Sequence, residues 1–159
     1  MAPIRFTIFR FVIKRFRRYR GVRPLAQAFD VGLNILTMMT APSVHHAIGK
    51  IRREIRSWPD VKDSSHKLGG HQFNWRGEEL GHIHSNGVAD LKLTFKEKDE
   101  VIRRYLAVPH HVVPTNSWAT FYLERGDQVQ HVVDLFRIPY QRLTAAGGNS
   151  EKPSEEYVQ

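Results

Sequence analysis

Short stretches in which apolar and polar residues alternate predict a series of β-strands beginning at residue 61. Side chains two residues apart share one face of a strand, so alternation indicates a strand with one buried face. Leu91 and Leu93 alternate in this way with Lys92, and Asn86-Gly87 before them is typical of a tight hairpin turn. The predicted strands are 61–67, 71–76, 80–84, 88–95 and 118–123.

Apolar residues at helical spacing predict helices before, between and after these strands. The predicted helices are 25–40, 44–58, 96–106 and 126–143, with Ser43 as the N-cap of the second, Pro59 as its end, and Pro139 ending or kinking the last near Ile138. Strands followed by helices favour an α+β, two-layer domain with a mostly antiparallel sheet of about five strands, packed by helices and preceded by N-terminal helices. We expect a helical segment at 25–59, the α+β domain at 60–144 and a disordered tail at 145–159, which is rich in Gly, Ser, Pro and Glu.

The first 24 residues alternate aromatic residues with arginines and predict a basic amphipathic helix. Over residues 4–20 this pattern is typical of a helix lying on an anionic membrane surface, with apolar residues in lipid and cations near headgroups. Two alternatives stay open: an ordinary amphipathic helix packed on its own domain, and a basic tail. Contact with nucleic acid is a weaker expectation.

The charge of the chain is concentrated in this same segment. The 159 residues carry a net charge of +8, yet residues 1–25 hold eight Lys/Arg and no acid, so the remainder is near neutral. Charge alone therefore does not make the core a nucleic-acid platform. With no cysteine, disulfides, thiolate metal sites and a cysteine nucleophile are excluded. No long apolar run predicts a membrane span and no signal peptide is evident, so we expect a cytoplasmic protein with peripheral membrane association.

Two histidine-bearing segments are the candidate seat of chemistry. In a strand His82 and His84 share a face, and Asp90 lies across the predicted hairpin, where its carboxylate can fix a histidine tautomer. His110 and His111 lie in a loop bounded by prolines; because neighbours in an extended loop point apart, we expect one of them to face the pocket.

This histidine set allows two chemistries, which the residues alone leave open. An iron or manganese ion is one, with two or three histidines and a carboxylate as ligands. A metal-free pocket in which imidazoles transfer protons is the other. The metal ligands would be His82, His84, His111 and Glu79, the last of which stands at the start of the His82 strand.

The motifs in these segments resemble the luciferase-domain family, which includes the fungal luciferases and many bacterial proteins of unassigned activity. The resemblance covers about residues 61–143. It is carried by the strings ELGHIH at 79–84, DL at 90–91, PHHVVP at 109–114, SW at 117–118 and IPY at 138–140. Asn86-Gly87 and Asp90 are closer to the bacterial members than to the fungal ones.

This resemblance implies an enzyme that oxidises a planar enolic or aromatic molecule with molecular oxygen and no added organic cofactor, as fungal luciferase does with a hydroxylated styryl-pyrone. It implies catalytic roles for His82, His84 and His111. It implies binding roles for Trp118 and Tyr140, and the residues themselves suggest binding roles for Glu79, Asp90 and His110. The alternatives are a non-catalytic module that binds a small ligand or a partner at a membrane surface, and a nucleic-acid-binding α+β domain.

Overall fold

The computed structural model describes residues 6–7, 23–66, 69–104 and 106–148. The helices are α1 (Arg23–Thr40), α2 (Pro42–Arg56), α3 (Phe95–Arg103) and α4 (Val129–Gly148), the last preceded by a 3-10 turn at Gly126–Gln128. The strands are β1 (Val61–Ser65), β2 (His71–Trp75), β3 (Glu78–Ile83), β4 (Val88–Lys92), β5 (Val108–Pro109) and β6 (Trp118–Tyr122).

Within the described ranges the strands form one antiparallel sheet in the order β1-β2-β3-β4-β6-β5. The predicted α+β class, with helices before the strands, is confirmed. Five strands were predicted, and the sixth is β5, which pairs with β6 over only two residues. A strand this short leaves no alternation in the sequence to recognise.

The apolar core lies on one face of the sheet, beneath α2 and α4. Helix α2 buries Val44, Ala47, Ile48, Ile51 and Ile55, whose three- and four-residue spacing places them on one side of the helix. From α4, Val132, Val133 and Phe136 pack into the same core. The sheet contributes Phe73, Trp75, Leu80, Ile83, Ala89, Leu91 and Ala119. Each fully buried large side chain stabilises the fold by about 1.5–3 kcal/mol.

Helix α1 packs at one end of the opposite face. Its Leu33 lies in a small apolar cluster with Phe6, Val88 and Tyr122, and Phe6 meets Tyr122 edge to face at 5.0 Å between ring centroids. Asp30 of α1 accepts a hydrogen bond from the Ser85 hydroxyl at 2.7 Å, which ties the helix to the β3–β4 hairpin. Phe6 therefore contacts the domain, while the predicted 4–20 helix apart from residues 6–7 lies outside the described residues.

Helix ends differ from the prediction at two prolines. Pro42 follows the end of α1 at Thr40 and is also the first residue of α2, so Ala41 rather than Ser43 is the N-cap; proline suits the first turn because its missing N–H has no partner there in any case. Helix α4 passes through the buried Pro139 and ends at Gly148, beyond the predicted end at residue 143. Packing of its apolar face on the sheet outweighs the helix-breaking tendency of proline.

Helix α2 shares the core of the sheet, although residues 25–59 were assigned to a separate helical segment. The proposed segment boundaries stay predictions, and residues 149–159 of the predicted tail lie outside the described ranges. None of the described helices has the length and apolarity needed to cross a membrane.

Candidate functional site

A β-bulge in β3 determines which side chains face away from the core. Asn74 of β2 pairs with Glu79, whereas Phe73 pairs with Gly81, so Leu80 is an extra residue opposite the break. Without the bulge, Glu79 and His82 would point to opposite faces. With it, Glu79 Oε1 lies 3.0 Å from His82 Nδ1, while Leu80 and Ile83 both enter the core.

Gly81 lets β4 approach β3 closely beside this bulge. Its φ is 148°, and a Cβ built there would lie 2.3 Å from the Asp90 carbonyl oxygen and 2.9 Å from the Phe136 ring. Any side chain at this position would therefore displace the strand that carries Asp90. This close approach explains why the ELGHIH motif has a glycine at position 81.

Across the sheet, a row of polar residues lies on the face opposite α2 and α4. His82 of β3 pairs with Asp90 of β4, and Asp90 pairs with Thr120 of β6. Asp90 is 1% exposed and Thr120 is completely buried. The predicted placement of Asp90 across the hairpin from the histidines is confirmed.

The two carboxylate oxygens of Asp90 have different surroundings. Oδ1 accepts a hydrogen bond of 2.5 Å from the Thr120 hydroxyl and lies 3.5 Å from His111 Nδ1. Oδ2 faces three imidazoles, at 3.4 Å from His82 Nε2, 3.7 Å from His110 Nε2 and 4.0 Å from His84 Nε2. The predicted convergence of His82, His84 and His111 is confirmed, with Asp90 at its centre.

Both loop histidines reach Asp90, which corrects the expectation that only one of them would face inward. The loop turns at this point, because the backbone N–H groups of Val112 and Val113 both donate to His110 Nδ1, at 3.2 and 3.1 Å. An Nδ1 that accepts hydrogen bonds carries no proton, so the neutral His110 ring holds its proton on Nε2. His110 therefore presents an N–H donor toward Asp90. His111 Nδ1 lies 3.2 Å from the Thr120 hydroxyl.

His66, at the end of β1, belongs to the same cluster and was not predicted. Its ring stacks on that of His82 with centroids 3.8 Å apart and planes within 10°. Gly70 permits this approach, because a Cβ there would lie 2.4 Å from the Ile83 carbonyl oxygen. The Gly69-Gly70 turn was the available sequence clue, since such a turn brings the residues before it over the next strand.

Of the two aromatic residues predicted at the site, Trp118 lies beside the histidines and Tyr140 does not. Trp118 is half-buried beside the cluster, with its ring 5.4 Å from that of His82 and 6.1 Å from that of His110. Tyr140 lies on α4, packs on Trp58 at 4.9 Å, and its hydroxyl donates to the Pro59 carbonyl. The structure therefore does not bring Tyr140 to the histidines.

Burial and the carboxylates move the pKa values of this cluster apart. Burial disfavours the charged imidazole of His82, yet hydrogen bonds and charge from Asp90 and Glu79 outweigh it and raise its pKa to about 9. Burial lowers the pKa of His84 well below its usual 6.5, helped by the nearby charge of His82. Burial would raise the pKa of Asp90, but hydrogen bonding and charge from His111 and His82 hold it well below 3.8. The pKa of Glu79 is also lowered: its hydrogen bond to His82 overcomes burial.

Two triplets in this cluster have the compactness needed to hold a metal ion. The possible ligand atoms of His66, His82 and His84 lie within 4.8 Å of one another, and so do those of Asp90, His110 and His111. Imidazole nitrogen with one carboxylate oxygen suits divalent first-row transition metals. The Asp90 carboxylate lies among the imidazole Nε2 atoms, where an ion could bind. Glu79 instead contacts His82 Nδ1, on the other side of that ring.

A comparison with protein-family models finds a match over part of the chain. The family model described as the luciferase domain matches residues 77–138, a range that begins just before the bulged strand and ends within α4. Comparisons with curated proteins and with solved structures find no match. Residues 77–138, which contain Glu79, His82, His84, Asp90, His110 and His111, are therefore similar to the luciferase domain, and the predicted resemblance to that family is confirmed.

Proposed function

We propose that this luciferase-like protein is a small oxygenase-like enzyme that acts on a planar enolic or aromatic molecule. The observation that carries the proposal is the buried Asp90 carboxylate, which lies within 4.0 Å of nitrogen atoms from four imidazoles. A buried carboxylate is costly unless it is paired. So many groups able to donate or accept protons around one buried charge favour chemistry over a purely structural role.

The outer residues of the cluster suit recognition of the substrate. His110 has a side chain 14% exposed, against 3% for His84 and 5% for His111. Its Nε2–H is therefore the donor placed nearest to solvent, and such a donor stabilises a developing oxyanion. The half-buried Trp118 ring beside it offers a flat apolar surface for a planar molecule.

The proposed reaction uses molecular oxygen as co-substrate. Hydrogen-bond donors at the cluster favour the ionised form of an enol or phenol, and this anion is electron-rich enough to be oxidised by oxygen. The family match supports this assignment only at the level of a luciferase domain. The class of substrate is the one that the resemblance to the luciferase-domain family implies, and the acidity of an enol or phenol suits a cluster of imidazoles.

Oxygen consumption with a panel of hydroxylated pyrones and catechols tests the proposal. We expect His84→Ala and His110→Ala to lower the rate at least about 100-fold, the usual scale for losing a positioned proton-handling or oxyanion-binding group. His46→Ala, on an exposed position of α2, is the matched control and should keep the full rate. If both cluster variants fold, by circular dichroism, and consume oxygen as fast as the parent, the proposal is rejected.

A second candidate function, ligand binding at a membrane surface, is favoured by the outer face of α1. Val31, Ile35, Met38 and Met39 are 50–76% exposed and follow helical spacing along one side. Exposed apolar side chains of this kind, next to a basic segment, are typical of interfacial helices. The helix is tied to the histidine hairpin through Asp30 and Ser85, so a membrane bound here would lie beside the same site.

Flotation with vesicles containing phosphatidylserine tests this second candidate. Ile35→Asn with Met39→Asn should reduce the bound fraction several-fold, whereas Val113→Asn, an exposed apolar residue elsewhere, should not. Equal flotation of all three proteins, or none by the parent chain, would remove α1 as a membrane contact.

A further inference from the structure

The distances around Asp90 Oδ2 are longer than those of well-formed hydrogen bonds and fit a shared cation. Hydrogen bonds from nitrogen to oxygen fall near 2.7–3.2 Å, whereas His82 Nε2 and His84 Nε2 lie 3.4 and 4.0 Å from this oxygen. Two atoms that each bind one metal ion at about 2.1 Å lie roughly 3.0–4.2 Å apart, as the angle between them opens from 90° to 180°. Both separations fall within that range.

The orientations of the imidazoles select two of them as ligands. The rings of His82 and His84 are nearly perpendicular, at 87° with centroids 5.2 Å apart, so their ring planes can intersect at a common ion. His66 and His82 are parallel and stacked, and an ion cannot lie in both planes at once. His110 is excluded by its tautomer, because its Nδ1 accepts two backbone N–H groups and its Nε2 therefore carries the proton.

The contacts around the cluster also prepare His82 to be a ligand. Its Nδ1 lies 3.0 Å from Glu79 Oε1, the arrangement in which a carboxylate accepts the outer N–H of a metal-bound imidazole and directs Nε2 at the ion. The Asp90 oxygen that faces away is held by the Thr120 hydroxyl, which leaves Oδ2 for the ion. Glu79 thus has the role of a positioning residue, whereas the sequence suggested it as a ligand.

We propose that His82 Nε2, His84 Nε2 and Asp90 Oδ2 bind one divalent first-row transition-metal ion. Two histidines and one carboxylate leave other coordination positions open, which is the arrangement of non-haem iron sites that use oxygen. This metal site would belong to the proposed enzyme. It rests on the proposed function only in that the ion lies where the substrate binds. His110 then places its N–H donor beside the open positions.

Cobalt(II) titration of untagged, chelator-treated protein is the direct test. We expect one ion per chain, with visible absorption bands typical of nitrogen and oxygen coordination. Asp90→Asn and His84→Gln should each weaken binding at least about 100-fold, and Glu79→Gln about 10- to 100-fold, the usual cost of losing a carboxylate that orients a ligand. His46→Ala should bind as the parent does. His66→Gln should retain the ion, which distinguishes this ligand set from the stacked triplet.

The result that would overturn the proposal is a folded parent chain that binds none of Co²⁺, Fe²⁺, Mn²⁺ and Zn²⁺ at 100 micromolar, or binding unchanged by both Asp90→Asn and His84→Gln. Where either variant fails to fold by circular dichroism, Glu79→Gln and His66→Gln carry the test, because loss of the ion in His66→Gln alone would also reject this ligand set. Oxygen consumption in chelator separates the two proposals. Turnover that persists without metal keeps the enzyme and rejects the placement of the ion at the substrate site. Metal bound without turnover of any substrate keeps the ion and rejects the enzyme.

Discussion

The two faces of the sheet are buried by different means. On the α2–α4 face, Phe73, Leu91 and Phe136 are completely buried among apolar neighbours. On the other face, Asp90 is almost as deeply buried but is surrounded by imidazoles and a hydroxyl. Adjacent residues of β4 thus serve opposite purposes: Leu91 contributes to the apolar core and Asp90 to the polar cluster.

This difference separates stability from chemistry. Apolar burial is non-directional and stabilises the fold roughly in proportion to the area removed from water. A buried carboxylate among imidazoles often adds no net stability over apolar residues of the same size. The polar face is therefore best explained by what it binds, and variants on the two faces should change different properties.

Gly81 lies against both the strand that carries Asp90 and the core residue Phe136. Its substitution should therefore have the largest effect on the free energy of unfolding. In Gly81→Ala the new Cβ would contact both the Asp90 backbone and the Phe136 ring. We expect a loss of more than about 4 kcal/mol in the free energy of unfolding, because neither strand nor helix can retreat without breaking its own packing. Urea unfolding followed by circular dichroism measures it.

Gly77→Ala is the matched control for this prediction. Gly77 also has a positive φ, of 90°, but a Cβ there meets no atom within 4 Å. Its cost should be about 1–2 kcal/mol, from backbone strain alone. Equal losses in the two variants would mean that close approach of β4 at Gly81 does not shape the site.

Phe136→Ala should lower stability by about 3–5 kcal/mol through the apolar face alone. The ring is completely buried on α4 and meets Phe73 edge to face at 5.3 Å. Phe95→Ala is the control, because Phe95 is 62% exposed and its loss should stay within about 0.5 kcal/mol. Under conditions where the Phe136 variant stays folded, its affinity for cobalt should be unchanged. A large loss of affinity would show that the two faces are not separable.

The sequence alone predicts the features that depend on the periodicity of apolar residues. Alternation and Asn86-Gly87 predicted the β3–β4 hairpin, and with it the shared face of His82 and His84 and the position of Asp90 opposite. The apolar spacing of α2 predicted its buried side. These features depend on neighbours close in the chain, so the residues themselves define them.

Features that depend on contacts between distant segments were missed. The bulge at Leu80 moves Glu79 to the histidine face, and no property of Leu80 itself indicates an extra residue. His66 joins the cluster only because β1 folds back over the Gly69-Gly70 turn. Tyr140 was placed at the site from the family resemblance, but its helix lies on the core face. Glu79 and Asp90 could not be ranked as ligands before their distances to each imidazole nitrogen were known.

The smallest expected effect is the change with pH in the free energy of unfolding of metal-free protein, which comes from His82 on the polar face. Burial lowers the pKa of His82, whose ring also faces the imidazoles of His66 and His84, but Asp90 and Glu79 outweigh burial and raise the folded-state pKa to about 9. A raised pKa contributes stability that is complete below the unfolded value of 6.5 and is lost as pH rises through about 9. We therefore expect the chelator-treated chain to lose on the order of 3 kcal/mol between these limits, at about 1.4 kcal/mol per pKa unit.

Glu79→Gln identifies the origin of this loss, because it removes one of the two carboxylates that hold the proton on His82. The pKa of His82 should fall in this variant, so the decrease in stability, which begins near the unfolded value of 6.5 in both chains, should be smaller and should end at lower pH than in the parent chain. NMR titration of the His82 ring, with urea unfolding at each pH, measures both quantities. Because metal binding requires an Nε2 without a proton, adding cobalt should abolish the titration near pH 9. A His82 ring that titrates near 6.5 in both chains would mean that the carboxylates do not hold it, and the polar face would lose its central contact.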